Sequence, residues 1–492
     1  MASSKEASSK EGYLWTPSGE TVGLVSDGVV SSTPQSTLRD SYDVVVIGAG
    51  FAGLVAARNI SERTKHSVLL VEGRDRIGGR TWTAKALGEE FEMGGTWIHW
   101  NQPHVYAELH RYGLQSIMKT SEGNLDAKAN YYTPANASSK EINPEDVGPV
   151  IQRVADAFFT IDGLTSRQLM PYPHEPFRSP ALWAKYDHLS AKDRLDQLNL
   201  PQIEKDIFDS MISSLGSVPG SGCGFVECLR WYALGNHSME NMFELAGLYK
   251  LGKGGMSRFA RSILSDYRGH LVLNTVIKKI AQTDQSVLLH TQSGHQIRAK
   301  YVISTIPHNC LSDIEFQPPV ASTKRQAILA GHINQGAKIH FHLAKEEPGW
   351  FSTANGYGDS PWCFSFSDHN GTKKKDGTYC IGFGYGGYLK DPRASKEIIS
   401  SFKKYLKPDA QVKAYLTHDW MNDPLAKGVW SCWGPGGMTK WLRELQQPHG
   451  RVLFASADWA DGWRGFVDGA IERGGRSAIE VEDLLRSDNP RA

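Results

Sequence analysis

Residues 43–47 (Asp-Val-Val-Val-Ile) form a β-branched run with little alternation, the pattern of a strand buried on both faces of a parallel sheet. Gly48, Ala49, Gly50, Phe51, Ala52 and Gly53 follow at once, and Leu54-Val55-Ala56-Ala57-Arg58 then has helical character. A second apolar run, Ser67-Val68-Leu69-Leu70-Val71, ends at Glu72. Further on, residues 337–343 (Ala-Lys-Ile-His-Phe-His-Leu) alternate. Lys338, His340 and His342 share one face and Ile339, Phe341 and Leu343 the other, which predicts a half-buried strand. Residues 377–385 (Gly-Thr-Tyr-Cys-Ile-Gly-Phe-Gly-Tyr) alternate in the same way. Residues 187–195 predict a helix that opens behind an N-cap Ser190, and Gly252-Lys253-Gly254-Gly255-Met256 predicts a turn.

The first of these patterns carries chemistry. A lone G-x-G-x-x-G is weak evidence, but in the order strand, turn, helix, strand, acid it is strong. Gly48 permits a tight turn, Gly50 lets the backbone approach a pyrophosphate, and Gly53 lets the helix pack on the strand. The free N–H groups and positive dipole end of the helix then face the phosphates. Glu72 stands about 20 residues beyond Gly53, the spacing at which an acid accepts hydrogen bonds from a ribose. Next, Arg74-Asp75-Arg76-Ile77-Gly78-Gly79-Arg80 sets three arginines around a glycine pair. Arginines there reach a pyrophosphate while the glycines let the chain lie against it. A basic surface loop would not explain the glycines.

Composition narrows the partners. Lys plus Arg total 54 against 53 Asp plus Glu, a net charge of +1, so nothing electrostatic favours nucleic acid or an anionic membrane. The length of 492 residues predicts two to four structural units. The six cysteines make no C-x-x-C zinc spacing and no compact disulfide framework, so free thiols and no metal are expected. No stretch approaches the ~20 apolar residues of a membrane span. Residues 1–38 begin with a tandem Ala-Ser-Ser-Lys-Glu repeat, stay rich in Ser, Thr, Gly and Pro, and read as a flexible tail. The chain ends Pro490-Arg491-Ala492 rather than in the Ser-Lys-Leu peroxisomal address, which leaves the cytoplasm as the expected compartment.

The span Glu72–Arg80 resembles the E-x-x-x-R-x-G-G-R signature of the flavin amine oxidase superfamily, which also includes carotenoid-type desaturases. The resemblance implies FAD rather than NAD. Met93-Gly94-Gly95-Thr96-Trp97-Ile98-His99 is similar to the family's glycine-pair segment beside the flavin, and Lys300–Pro307 to the strand that returns to the cofactor. Phe454–Trp459 and Gly462–Ile471 resemble the C-terminal flavin motif, in which an acid meets the ribityl chain and a helix N-terminus, here at Val467, faces the flavin. Asp458 stands where most members carry Glu. Within the superfamily the closer likeness is to monoamine oxidases of the soluble fungal type, carried by Gly94–Trp100 and by Gly428-Val429-Trp430.

By pattern alone Lys338 is a solvated strand lysine, and Trp430 and Phe466 are core aromatics. The resemblance reverses these readings. It implies that Lys338 is the lysine held through a water to flavin N5, aiding reaction with oxygen, and that Trp430 and Phe466 are the two rings flanking the amine. His340 and His342 remain structural. In the animal enzymes a cysteine just before the first cage ring bonds the flavin; here Val429 stands there, so FAD is expected to bind non-covalently.

The expected fold is two-domain α/β (α+β overall). Residues 39–125, 240–340 and 425–485 would form a Rossmann-like FAD-binding domain, 126–239 and 341–424 an inserted mixed substrate-binding domain, and 486–492 a C-terminal tail. The expected reaction is FAD-dependent oxidation of a small primary monoamine to an imine, hydrolysed to aldehyde and ammonia, with molecular oxygen reduced to hydrogen peroxide. Polyamine or amino acid oxidation stays open, the latter with Arg464 as a candidate carboxylate clamp, as does an oxygen-independent desaturase or dehydrogenase. The family likeness implies a homo-oligomer, although no stripe in the sequence marks an interface.

Overall fold

The computed structural model describes residues 6–121, 127–355, 360–368 and 376–488. It is a mixed α/β fold in which most strands belong to two large sheets. In the first sheet, of eight strands, Ser41–Ile47 lies parallel to Val68–Val71 on one side and to Gln296–Ser304 on the other. Val44, Val45 and Val46 are fully buried, because helices and loops cover both faces of this parallel core. His270–Val272 and Val452–Phe454 add further parallel strands, and Ile277–Gln282, Val287–Thr291 and Glu315–Gln317 complete the sheet. The helix Phe51–Arg63 is buried from Phe51 to Ile60, since it is clamped between that sheet and the long helix Val467–Asp488.

The second sheet has nine strands, with Ala337–Leu343 in its middle between Thr378–Gly384 and Val412–Thr417, antiparallel to both. The alternation in Ala337–Leu343 predicts one wet face, yet every residue after Ala337 is buried. Its polar face is covered by the segment Glu92–Thr96 rather than by water, and its apolar face by the helix Ser395–Tyr405, where Phe341 stacks on Phe402 at 4.1 Å. Thr378–Gly384 is likewise buried throughout instead of half-exposed. A boundary at 340 would therefore cut a continuous strand, and one at 485 falls inside the helix that runs to Asp488.

Residues 6–38 are not a loose tail. Tyr13–Thr16 and Gly19–Val22 form a hairpin, and Tyr13–Trp15 pair with Val412–Thr417 to extend the second sheet. Polar composition conceals this attachment because a backbone ladder and charge make it. Glu11 pairs with both Arg74 and Arg76, and Asp75 accepts from the Ser9 hydroxyl and the Lys10 N–H. Smaller expectations hold locally. The helix Ala191–Asp196 opens on a reciprocal cap between Ser190 and Asp193, and the 252–256 turn joins Tyr249–Leu251 to Gly255–Ser265. Among the described residues, no helix is long and apolar enough to cross a membrane.

Candidate active site

A single cavity of about 710 Å³ takes its lining from both large sheets. At one end lie Gly48, Gly50, Glu72, Gly78, Gly79 and Arg80. The helix Phe51–Arg63 begins here behind Gly50 with no side-chain cap, so its first N–H groups remain available to an anion. A Cβ at Gly50 would stand 3.8 Å from the Gly79 Cα, in the gap between the two glycine turns. A Cβ at Gly53 would come within 1.8 Å of the Gly48 carbonyl oxygen, so only glycine lets the helix start this close to the strand. The Glu72 carboxylate accepts from the N–H groups of Ala49 (2.6 Å) and Arg74 (2.8 Å), which fixes it at the end of its strand facing the cavity. An open helix N-terminus, a glycine-floored gap and an anchored acid fit a dinucleotide.

The three arginines are placed differently from one another. Arg74 lines the cavity, but its guanidinium is held by Glu11 and by Asp423 at 2.7 Å. Burial opposes its charge, yet these two carboxylates raise its pKa above the ordinary range. Arg76 is fully buried against Glu11 and the Trp82 ring and does not reach the cavity lining. Arg80 lines the cavity and donates to the Val429 carbonyl and to Asp458, both at 2.8 Å. Asp458, expected at the ribityl chain, is fully buried outside the lining, and its other oxygen accepts from the His308 N–H at 2.8 Å. Burial works against its ionisation, but Arg80, His332 and the His308 N–H hold its pKa down to about 2. Asp458 thus fixes Arg80, and Arg80 meets the cavity. The side chain is a methylene shorter than Glu and is used up by these partners.

Gly94, Gly95, Thr96 and Trp97 line the middle of the cavity together with Lys338. The Lys338 ammonium donates to the carbonyl oxygens of Glu92 (2.8 Å) and Gly94 (2.9 Å) and to the Thr96 hydroxyl oxygen (2.5 Å), which itself donates to Gly94. It also stands 5.0 Å over the Trp97 ring. Three acceptors use all three ammonium donors. Burial pushes the Lys338 pKa below its ordinary 10.5, opposed by the Glu92 and Asp368 carboxylates. His340 donates through Nε2 to the same Glu92 carbonyl (2.8 Å) and is absent from the lining, in keeping with a structural role.

The other end is aromatic. Trp430 and Phe466 both line it, each held by neighbours: Trp430 Nε1 donates to the Leu215 carbonyl at 2.8 Å, and Phe466 packs on Trp231 (4.8 Å) and Trp463 (5.0 Å), Leu215 and Trp231 lining the cavity as well. Val467, first residue of its helix, and Ala470 continue the lining. The second sheet and the helices Pro144–Phe158, Gln202–Ser213 and Met239–Gly247 supply further wall. Phe351, Phe364, Phe366 and Phe383 stack with interplanar angles of 5° to 21°, Trp97 closes one side, and Phe383 meets Trp430 at 6.1 Å. This wall escapes sequence reading. Its one signal is the period-two spacing of Phe364 and Phe366 in the strand Trp362–Ser367, which equally describes a core face.

Arg464 is no carboxylate clamp. It is fully buried outside the lining, paired with Glu227 and 4.4 Å over the Trp433 ring. All six cysteines are free and buried, and only Cys310 lines the cavity, beside Pro307, Asp313 and Pro424. Val429 lines the cavity beside Trp430, while Cys432 turns its sulfur to Cys223 at 3.8 Å. Glu11, His418 and Asp423 cluster closely enough to ligate a metal, but Arg74 occupies the cluster and pairs with both acids.

A family model described as flavin-containing amine oxidoreductase matches residues 51–481. Pseudooxynicotine dehydrogenase from Pseudomonas sp is 33% identical over 92% of this chain and 88% of its own length. Nicotine dehydrogenase from Pseudomonas putida (strain DSM 28022 / S16) is 29% identical over 98% of both chains. Among solved structures, a triple mutant of putrescine oxidase superposes with a TM-score of 0.75 at 20% identity, over 90% of this chain and 99% of that one, a likeness of fold.

Proposed function

The chain belongs to the flavin-containing amine oxidoreductase family, and from that membership we propose that it binds FAD without a covalent bond and oxidises an apolar primary amine carrying one basic nitrogen. The observation that carries this reading is that one cavity takes its lining from the Gly50–Glu72 cradle, from Lys338 and from Trp430 and Phe466 together. When bound, FAD supplies the two-electron acceptor that takes a hydride equivalent from the amine α-carbon. The imine so formed is hydrolysed to aldehyde and ammonia.

The chain's own residues do the rest. Gly50, Glu72 and Arg80 hold the dinucleotide, with Asp458 behind Arg80. Trp430 and Phe466 keep water from the reacting carbon and orient the nitrogen, and their faces attract an arriving ammonium. They offer no carboxylate to lock the amine in its charged form, which matters because oxidation needs the neutral nitrogen's lone pair. Among the described lining residues, no carboxylate is both buried and unpaired. Glu72 is engaged by two N–H groups, Asp313 by Lys427 and Glu244 by the Tyr249 hydroxyl, and Glu240 is exposed. Val429 in place of a cysteine supports non-covalent flavin.

Molecular oxygen is the electron acceptor in this reading, with hydrogen peroxide as product and the Lys338 charge assisting. A second reading has one observation in its favour: the three Lys338 donors are already taken by Glu92, Gly94 and Thr96, leaving none for a water. It takes an acceptor other than oxygen, as the names of the two Pseudomonas dehydrogenases suggest. Anaerobic mixing of the purified FAD-bound protein with n-hexylamine and benzylamine, then admission of air, tests both. Bleaching followed by recovery with peroxide supports the oxidase, and bleaching without recovery in air the dehydrogenase. Absence of bleaching with either amine overturns the amine reading.

A further inference from the structure

Trp97 occupies the junction of the site. One side of its ring lies under the Lys338 ammonium at 5.0 Å, and its other contacts are Phe366 (6.0 Å) and Phe383 (5.9 Å) of the phenylalanine wall. What orients it lies behind the cavity. The indole Nε1–H donates to the Ser121 hydroxyl oxygen at 3.2 Å, and Ser121 stands close enough to the Asp368 carboxylate to help hold its charge. Both Asp368 oxygens accept from the Lys250 ammonium, at 2.9 and 2.7 Å. Lys250 and Asp368 are 4% and 3% exposed, a buried ion pair 118 residues apart in sequence. Burial opposes the Asp368 charge, but Lys250 and the Ser121 hydroxyl lower its pKa below 3.8, so the carboxylate accepts only. The donors then point one way, ammonium to carboxylate and indole to hydroxyl, which leaves the Ser121 proton free to turn to Asp368.

A buried ion pair is weak evidence for stability, because burying both charges costs about as much as their attraction returns. Its best-attested use is to specify one arrangement. Here the arrangement specified is the plane of Trp97, since Lys250 is also bridged through its backbone to Trp97. We propose that Lys250, Asp368 and Ser121 form a positioning relay for Trp97, and that the fixed indole plane makes the cavity selective for amines bearing a flat aromatic ring. The indole is tilted 50° from Phe366 and 42° from Phe383, so it makes a corner with the phenylalanine wall. An aryl group packs into that corner face against ring. An aliphatic chain has no face to align and gains nothing from the fixed plane. The inference rests on the amine reading for its kinetic form, but not for its binding form.

The test uses FAD-bound protein and two ligands that cannot be oxidised as amines, 2-phenylethanol and 1-hexanol, with affinity read from the flavin absorbance change. S121A removes only the acceptor of the indole hydrogen bond, whereas W97F removes the donor and also alters the ring that meets Lys338, Phe366 and Phe383. Each is expected to weaken 2-phenylethanol about fivefold to tenfold while leaving 1-hexanol within about twofold. The S121A/W97F double variant is expected to match W97F alone, because Ser121 acts through the indole N–H that W97F removes, and S121T restores the affinity lost in S121A. With 2-phenylethylamine as substrate, KM rises and kcat holds. Unchanged 2-phenylethanol affinity in S121A, additive losses in the double variant, or equal losses for both alcohols would overturn the relay. D368N leaves Lys250 buried and unpaired and will destabilise the fold, so the Ser121 and Trp97 variants decide the matter. If wild-type flavin is not bleached by any amine while the alcohol pattern holds, the amine reading fails and the relay stands.

Discussion

Arg80 donates through Nη2 to Oδ1 of Asp458 at 2.8 Å, joining two residues 378 positions apart. The acid therefore acts on the cavity through the arginine. Asp458→Asn is expected to lower FAD affinity about tenfold, measured by titrating apoprotein with FAD. The pair also sets an acid limit. The folded pKa is about 2 against an ordinary 3.8, so on acidification the unfolded chain takes up the proton first. The pair's contribution, on the order of 2 kcal/mol, is present above about pH 4 and lost as the pH falls through about 2. In the Asn variant the acid limb of stability against pH should flatten.

Lys338→Met separates the two acceptors. If oxygen is the acceptor, the variant should slow reoxidation of the reduced protein about tenfold or more while flavin reduction changes less than about threefold. Because burial lowers the Lys338 pKa below 10.5, the wild-type oxygen step should slow as pH rises from neutral into the alkaline range, where the ammonium is lost. The Met variant should lack that dependence. Stopped-flow traces of the two half-reactions decide, and an unchanged oxygen step removes the role from Lys338.

Trp430→Ala opens one side of the aromatic end and frees the Leu215 carbonyl that its indole N–H holds. Turnover of benzylamine should fall about tenfold to a hundredfold in kcat/KM, with the flavin content unchanged. Trp430→Phe keeps a ring and should recover most of it. Unaltered amine kinetics in the Ala variant would take Trp430 out of the site.

Denaturation should release all the FAD into the supernatant. Val429 has no thiol, Cys432 is directed at Cys223, and Cys310, the one cysteine in the lining, sits beside Pro307 and Asp313. Flavin left on the precipitated chain after acid or heat treatment would contradict non-covalent binding.

Glu11→Ala should reveal how firmly the N-terminal segment is fastened. It leaves Arg74 and Arg76 with one carboxylate partner fewer each, both being buried. A loss of about 3–5 kcal/mol is expected, read as a lower denaturant midpoint. A midpoint within error of wild type would restore the picture of a dispensable tail.

The parts of this protein legible in its sequence are those encoded over a few adjacent residues. The β-branched run 43–47, the glycines 48, 50 and 53 and the acid at 72 specify a strand, a turn, a helix start and an anchored carboxylate, because each depends on local backbone freedom and a short period of burial. The Ser190 cap and the 252–256 turn are local in the same sense. Tertiary structure alone decides which polar groups meet. Alternation shows that Lys338 and His340 share a face; it does not show that the Glu92 carbonyl, rather than water, waits on that face. The same limit hides Glu11 against Arg74, Asp458 against Arg80, and Lys250 against Asp368. A strand's period records only that a side chain points inward. The identity of its partner comes from a segment tens to hundreds of residues away, and no local pattern records it. The phenylalanine wall is the plainest instance, since four rings become one surface only when three strands stand side by side.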